Sequence, residues 1–181
     1  MKLRLAAAAL ALPLLAFDCG GAQPEPNPFG TCALHVRGAG PGVNEDLWCV
    51  VTSYDYAPAS TTWAFELSAY RGMTSVAGGA GVFLAGRPAV GTAYGWSGAT
   101  SSVDSGGATR SIGDAMATPP TLALTHEATA LAGTGALSVT FTQVPPPGAT
   151  GAQLLNVHGT LTATLEALDG VSPPVTFSAT F

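Results

Sequence analysis

Short runs of alternating apolar and polar residues recur along most of the chain. In TWAFELSAY, Trp63, Phe65, Leu67 and Ala69 fall on one side and Glu66 and Ser68 on the other. ALSVTFTQV sets Leu137, Val139 and Phe141 against Ser138, Thr140 and Thr142. NVHGTLTATLEA sets Val157, Leu161, Ala163 and Leu165 against His158, Thr160, Thr162 and Thr164, and PVTFSATF aligns Val175, Phe177, Ala179 and Phe181. A period of two is that of a strand with one face buried. Ala33–Arg37 and Leu47–Val51 are further strands, and Val82–Ala85, Val90–Trp96 and Thr121–Thr125 are shorter candidates. RGAGPG, GGAG, GRPAVG, DSGGA, TPP, VPPPGATG and DGVSPP punctuate them as turns. HEATALAG, His126–Gly133, is the best helical candidate and is short; Gly98–Pro120 carries little periodicity and reads as a long loop or irregular edge. Eight or nine strands, each apolar on one face and Thr-rich on the other, predict an all-β domain over residues 31–181. The expected architecture is an antiparallel β-sandwich, two sheets packed face to face.

The residues before this domain follow a different rule. MKLR is positive, and LAAAALALPLLA is an apolar run long enough for a signal-peptide core and too short to span a bilayer. Residues 1–18 are therefore expected to be a signal peptide and residues 19–30 a flexible tether. GGAQPEPNP is small, polar and Pro-rich, suited to lift a domain off a surface. Three cleavage points compete. Processing before Cys19 would make it a lipidated anchor, although Asp18 stands where a small neutral residue is usual. Ordinary cleavage after Ala22 would use Gly20 and Ala22 as the small residues, and cleavage after Ala16 would place Leu14 at the −3 position. By resemblance to bacterial lipoprotein sorting, Gly20 after Cys19 implies the outer membrane; soluble periplasmic or extracellular release is the alternative.

Lipidation of Cys19 or cleavage after Ala22 leaves one pair of cysteines, Cys32 and Cys49, as expected in an oxidising compartment. The loop GAGPGVNED separates two strands, so a hairpin would set position 32 opposite 49 and 34 opposite 47. Neighbouring strands supply the Cα separation of roughly 5.5–6 Å that a disulfide needs. A metal site is the weaker alternative, since no further ligands stand at useful spacing.

Charge narrows the partners. The formal net charge is −5; Lys2 and Arg4 lie in the leader, and the rest of the chain keeps only Arg37, Arg71, Arg87 and Arg110. Nucleic-acid binding needs clustered cations against phosphate, and a polybasic membrane patch needs the same; neither cluster exists in this sequence.

Candidate chemistry is thin. SVDSGGA places Ser105 in Asp-Ser-Gly-Gly, as around the nucleophile of chymotrypsin-like proteases, but the only upstream histidine, His35, lacks that family's context. YGWSGA puts Ser97 in a Gly-x-Ser-Gly-Ala setting with no helix to follow it, as a nucleophile elbow requires. His35, His126 and His158 form no constellation. Asn44-Glu45-Asp46 lacks the spaced ligands of a calcium loop and reads as a solvated hairpin tip. Tyr54, Tyr56, Trp63, Tyr70, Tyr94 and Trp96 offer sugar-stacking aromatics if exposed. An apolar phase ending at Phe181 also fits the last strand of a small outer-membrane barrel, although aromatic girdles are missing.

GRPAVGTAY, Gly86–Tyr94, followed by GALSVTFTQV, VHGTLTATL and VTFSATF, resembles small bacterial secreted lipoprotein β-sandwich domains of unknown function. Here Ala93 separates Gly91-Thr92 from Tyr94. The resemblance implies a sandwich and an envelope address and carries no catalytic residues to transfer. The expectation is an exported, lipid-anchored, non-enzymatic envelope protein without cofactor or metal, meeting an unknown protein or glycan. The alternatives are a carbohydrate-binding module using exposed Tyr and Trp, and a small outer-membrane barrel.

Overall fold

A computed structural model describes residues 31–40, 43–55, 61–72, 75–113 and 118–181. The predicted signal peptide, the tether, the lipidation site Cys19 and the aromatic Tyr56 lie outside the described residues.

Among the described residues eleven strands follow in order: β1 (Ala33–Gly38), β2 (Glu45–Asp55), β3 (Trp63–Arg71), β4 (Ser75–Leu84), β5 (Ala93–Ser97), β6 (Thr100–Ser101), β7 (Ser105–Ile112), β8 (Ala123–Thr129), β9 (Ala136–Gln143), β10 (His158–Ala167) and β11 (Val175–Thr180). All pairings are antiparallel. Among the described residues one 3-10 turn, Gly151–Leu155, precedes β10.

The expected sandwich is corrected to a barrel. β11 pairs with β10 on one edge and with β1 on the other, so the last strand joins the first. From β1 the pairing runs through β2, β3, β4, β7 and β8 and returns to β10 through Glu166↔Glu127 and Ala167↔His126. These eight strands close a ring, which removes the free edges that two separate sheets would keep. The wall forks at β10: residues 158–164 pair with β9, and residues 166–167 with β8. β9 then carries β5 and β6 as a side sheet.

Alternation decides what fills the ring. Leu34 and Val36, Leu47, Cys49 and Val51, Trp63, Phe65 and Leu67, Leu161 and Leu165, and Val175 and Phe177 are buried on the inner face, and Leu137, Val139 and Phe141 of β9 join the same cluster. Phe141 meets Trp63 and Phe65 edge-on at centroid distances of 5.1 and 5.3 Å, and Phe181 lies 4.9 Å from Phe65. Edge-to-face packing is the favourable geometry for such rings.

The four strongly periodic strands of the sequence stand as expected. The span Gly98–Pro120, expected to be a long loop or irregular edge, contains β6, the last strand of the side sheet, and β7, a strand of the ring. GGAG lies inside β4 and DSGGA opens β7, where both were expected to be turns. The helical candidate at His126–Gly133 is the end of β8 and the turn after it. Glycines signal turns when φ is positive; within a sheet they also mark close strand approach. Gly78 has φ +147, and a Cβ there would lie 2.1 Å from the Thr109 carbonyl oxygen.

Candidate functional site

The hairpin of β1 and β2 has the predicted register, with Leu34 opposite Leu47 and Ala33 opposite Trp48. Cys32 and Cys49 form a disulfide with Cα atoms 5.1 Å apart. Both cysteines are buried and point into the barrel.

The expected solvated hairpin tip at Asn44-Glu45-Asp46 is corrected at Glu45. It is in phase with Leu47 and Cys49 and therefore faces the interior at one mouth of the barrel. Its carboxylate accepts Arg71 Nε at 2.6 Å and Arg110 Nη2 at 2.5 Å. Arg110 is in phase with Ala108 on β7 and is only 5% exposed; its Nε has no hydrogen-bond partner. Arg71 also donates to the Ser111 carbonyl at 3.4 Å. One acid thus ties β2, β3 and β7 together where the ring opens to solvent. A charge in the apolar phase of a strand was the sequence signal for both Glu45 and Arg110.

The histidines sit on separate strands. His35 faces outward on β1 and bonds Asp46 at 2.7 Å; Arg37 reaches the same oxygen at 2.6 Å. The hydrogen bond from His35, then that from Arg37, holds the Asp46 carboxyl below its ordinary value. His126 is buried on β8, with Thr125 Oγ1 at 3.0 Å and the Pro173 carbonyl at 3.3 Å. His158 is half-buried at the start of β10. Ser105 opens β7 and Ser97 closes β5, so the two serine motifs lie on strands. Among the described residues, no three His, Cys, Asp or Glu side chains converge as a metal site.

The aromatic set divides. Trp63 and Trp96 are buried, and Trp96 Nε1 donates to the Thr134 carbonyl at 3.2 Å. Tyr94 packs on Phe141 at 6.3 Å, and its hydroxyl accepts the Ala89 N–H at 2.8 Å. These three belong to the core and its rim. Tyr54 and Tyr70 are half-exposed on the outer face. Phe83, outside the aromatic set expected from the sequence, is 36% exposed on the same outer wall.

Tyr54 and Phe83 border a groove of about 690 Å³ on the outer face of β3, β4 and β7. Its middle holds Gly79, Gly81 and Gly107, with Gly81 directly opposite Gly107 and opposite Glu66 on its other side. The Tyr54 hydroxyl donates to Glu66 at 3.1 Å. Ser68, Thr109 and Thr129 add hydroxyls, and Val76 and Leu131, 42% and 95% exposed, add apolar walls. A strip of bare backbone between aromatic and hydroxyl-bearing walls can receive a ligand with a flat apolar face and a polar rim.

No family model matches the chain, and no curated protein or solved structure matches it.

Proposed function

We propose that the chain is an exported envelope protein, held to the outer membrane through lipidated Cys19, whose barrel serves as a non-enzymatic binding module. The observation that carries this reading is the Cys32–Cys49 disulfide where the tether meets the barrel. Disulfides persist in the compartments that exported proteins enter. The outer groove supports a binding role. Residues 19–30 would act as a spacer reaching at most roughly 40 Å at full extension.

Labelled palmitate should enter the wild-type chain and be lost from Cys19→Ser, which should leave the membrane fraction. Label retained by the variant would overturn the anchor.

A second reading, an outer-membrane barrel, is favoured by the closed ring of eight strands. Such a barrel presents an apolar band to lipid and a polar interior. Here the interior is apolar and packed, holding Phe65, Phe141 and Phe177; outside, β9, β10 and β11 present Ser138 and Thr142, Thr160 and Thr162, and Thr176 and Thr180, while β4, β7 and β8 expose the scattered apolar residues Val76, Phe83, Ile112 and Leu124. That distribution favours a barrel surrounded by water. Heat-modifiable migration in detergent would favour the membrane barrel instead.

A further inference from the structure

We propose that the outer groove over β3, β4 and β7 is a site for neutral saccharides, with Gly81 and Gly107 as the floor on which a sugar ring lies. The proposal rests on the binding-module reading above and names its ligand class.

Glycine inside a strand costs stability, so each one calls for a reason. Most of those in this wall are required by the fold itself. A Cβ at Gly79 would lie 2.5 Å from the Leu67 carbonyl oxygen, and one at Gly106 would lie 2.8 Å from the Trp96 ring. Gly107 differs. Its φ is outside the left-handed region, and a Cβ there would meet nothing nearer than the Ala128 carbonyl oxygen at 3.6 Å. That is ordinary van der Waals contact, so the fold has room for a side chain at this position. The missing side chain leaves space on the outside, in the middle of the groove and directly opposite Gly81. Bare backbone in a strand suits close approach by a ligand.

The walls define the ligand. A pyranose has an apolar C–H face and a rim of hydroxyls. The face would lie on the glycine floor and against Phe83 and Tyr54, as aromatic surfaces favour. The rim would meet the hydroxyls of Ser68 and Thr109 and the Glu66 carboxylate, which Tyr54 orients at 3.1 Å. Among the described lining residues Glu66 is the only charged one. A sulfated, phosphorylated or uronic glycan would bring an anion to a carboxylate with no cation in the lining to receive it, so the complementary ligand is neutral.

The test uses the full-length chain, exported and purified in a detergent without a sugar headgroup. Calorimetry is run with hexaoses of glucose, xylose and N-acetylglucosamine, and with dextran sulfate. Saturable binding to at least one hexaose and none to dextran sulfate is expected. Gly107→Val should weaken it at least tenfold with Tm and circular dichroism retained. Gly107→Ala, whose Cβ has room, should fold and bind more weakly than wild type. Thr162→Val, on the outer face of β10, should bind as wild type does. No hexaose binding, a preference for dextran sulfate, or wild-type affinity in a folded Gly107→Val would overturn the assignment. A membrane-bound, palmitate-labelled chain that ignores every hexaose refutes the saccharide site and leaves the anchor standing. An unlabelled soluble chain that binds a hexaose through Gly107 does the reverse.

Discussion

At the scale of single residues, Glu45 holds one mouth of the barrel. It takes both Arg71 and Arg110, and Arg110 lies deep enough that losing its partner leaves a buried guanidinium uncompensated. Removing one member of such a pair is far more costly than the pair is worth. Glu45→Ala should therefore destabilise the chain by about 3 kcal/mol, read as a shift in the urea midpoint. Asp169 offers a sharper measurement. Its carboxylate accepts the Ser172 hydroxyl at 2.6 Å and the N–H groups of Ser172 and Val171 at 2.8 and 2.9 Å. These bonds, the Ser172 hydroxyl first, pull its pKa from 3.8 to about 2. A depressed carboxylate stabilises the fold above its unfolded pKa, and that contribution is lost as pH falls through the folded value. An NMR titration of Asp169 should show a midpoint near 2, moving back toward 3.8 in Ser172→Ala. Glu45 could be placed from sequence only by its phase, because its partners lie on β3 and β7, far along the chain.

At the scale of elements, the strands that announced themselves were those with large apolar residues in one phase. Trp63–Arg71 and His158–Ala167 were legible because burial on one side demands alternation. β7 and most of β4 were not, because their small residues carry almost no hydrophobic contrast; only the end of β4 fell within a strand candidate, Val82–Ala85. Their glycines answer to close strand approach and to the groove, features that exist only once neighbouring strands are in place. Gly107→Ala tests this directly: with no steric conflict, it should raise stability by about 0.5 kcal/mol, measured by thermal or urea unfolding. The β1–β2 hairpin was legible down to its register. The disulfide separates residues 17 apart in sequence, and the Cys32→Ser, Cys49→Ser double variant should lose about 3 kcal/mol. The same loss should appear when the wild type is reduced, and the variant should not respond to reductant.

At the scale of the whole molecule, ring closure depends on β11, which bridges β10 and β1. Deleting residues 175–181 would uncover both neighbouring edges and remove Val175, Phe177 and Phe181 from the core. Unpaired edges over exposed apolar surface recruit other chains. The truncated protein should sediment as aggregate where the full chain is monodisperse. Among the described residues no helix is long and apolar enough to cross a membrane, so the membrane reading rests on Cys19 or on strands, and the palmitate and gel-migration experiments address these separately. The groove belongs to this scale as well: its floor comes from β4 and β7, and Glu66 and Tyr54 come from β3 and β2.

The all-β class, the inward faces of the strongly periodic strands and the pairing of Cys32 with Cys49 follow from the residue pattern alone. Each is a local matter of alternation or of one short hairpin. Tertiary structure decided that the sheet closes into a ring, since alternation is the same in a sandwich and in a barrel and only long-range pairing tells them apart. It also decided which aromatics reach the surface and which charges turn inward. The candidate site itself was decided there too, because a groove floored by glycines consists of missing side chains, which no hydrophobic pattern records.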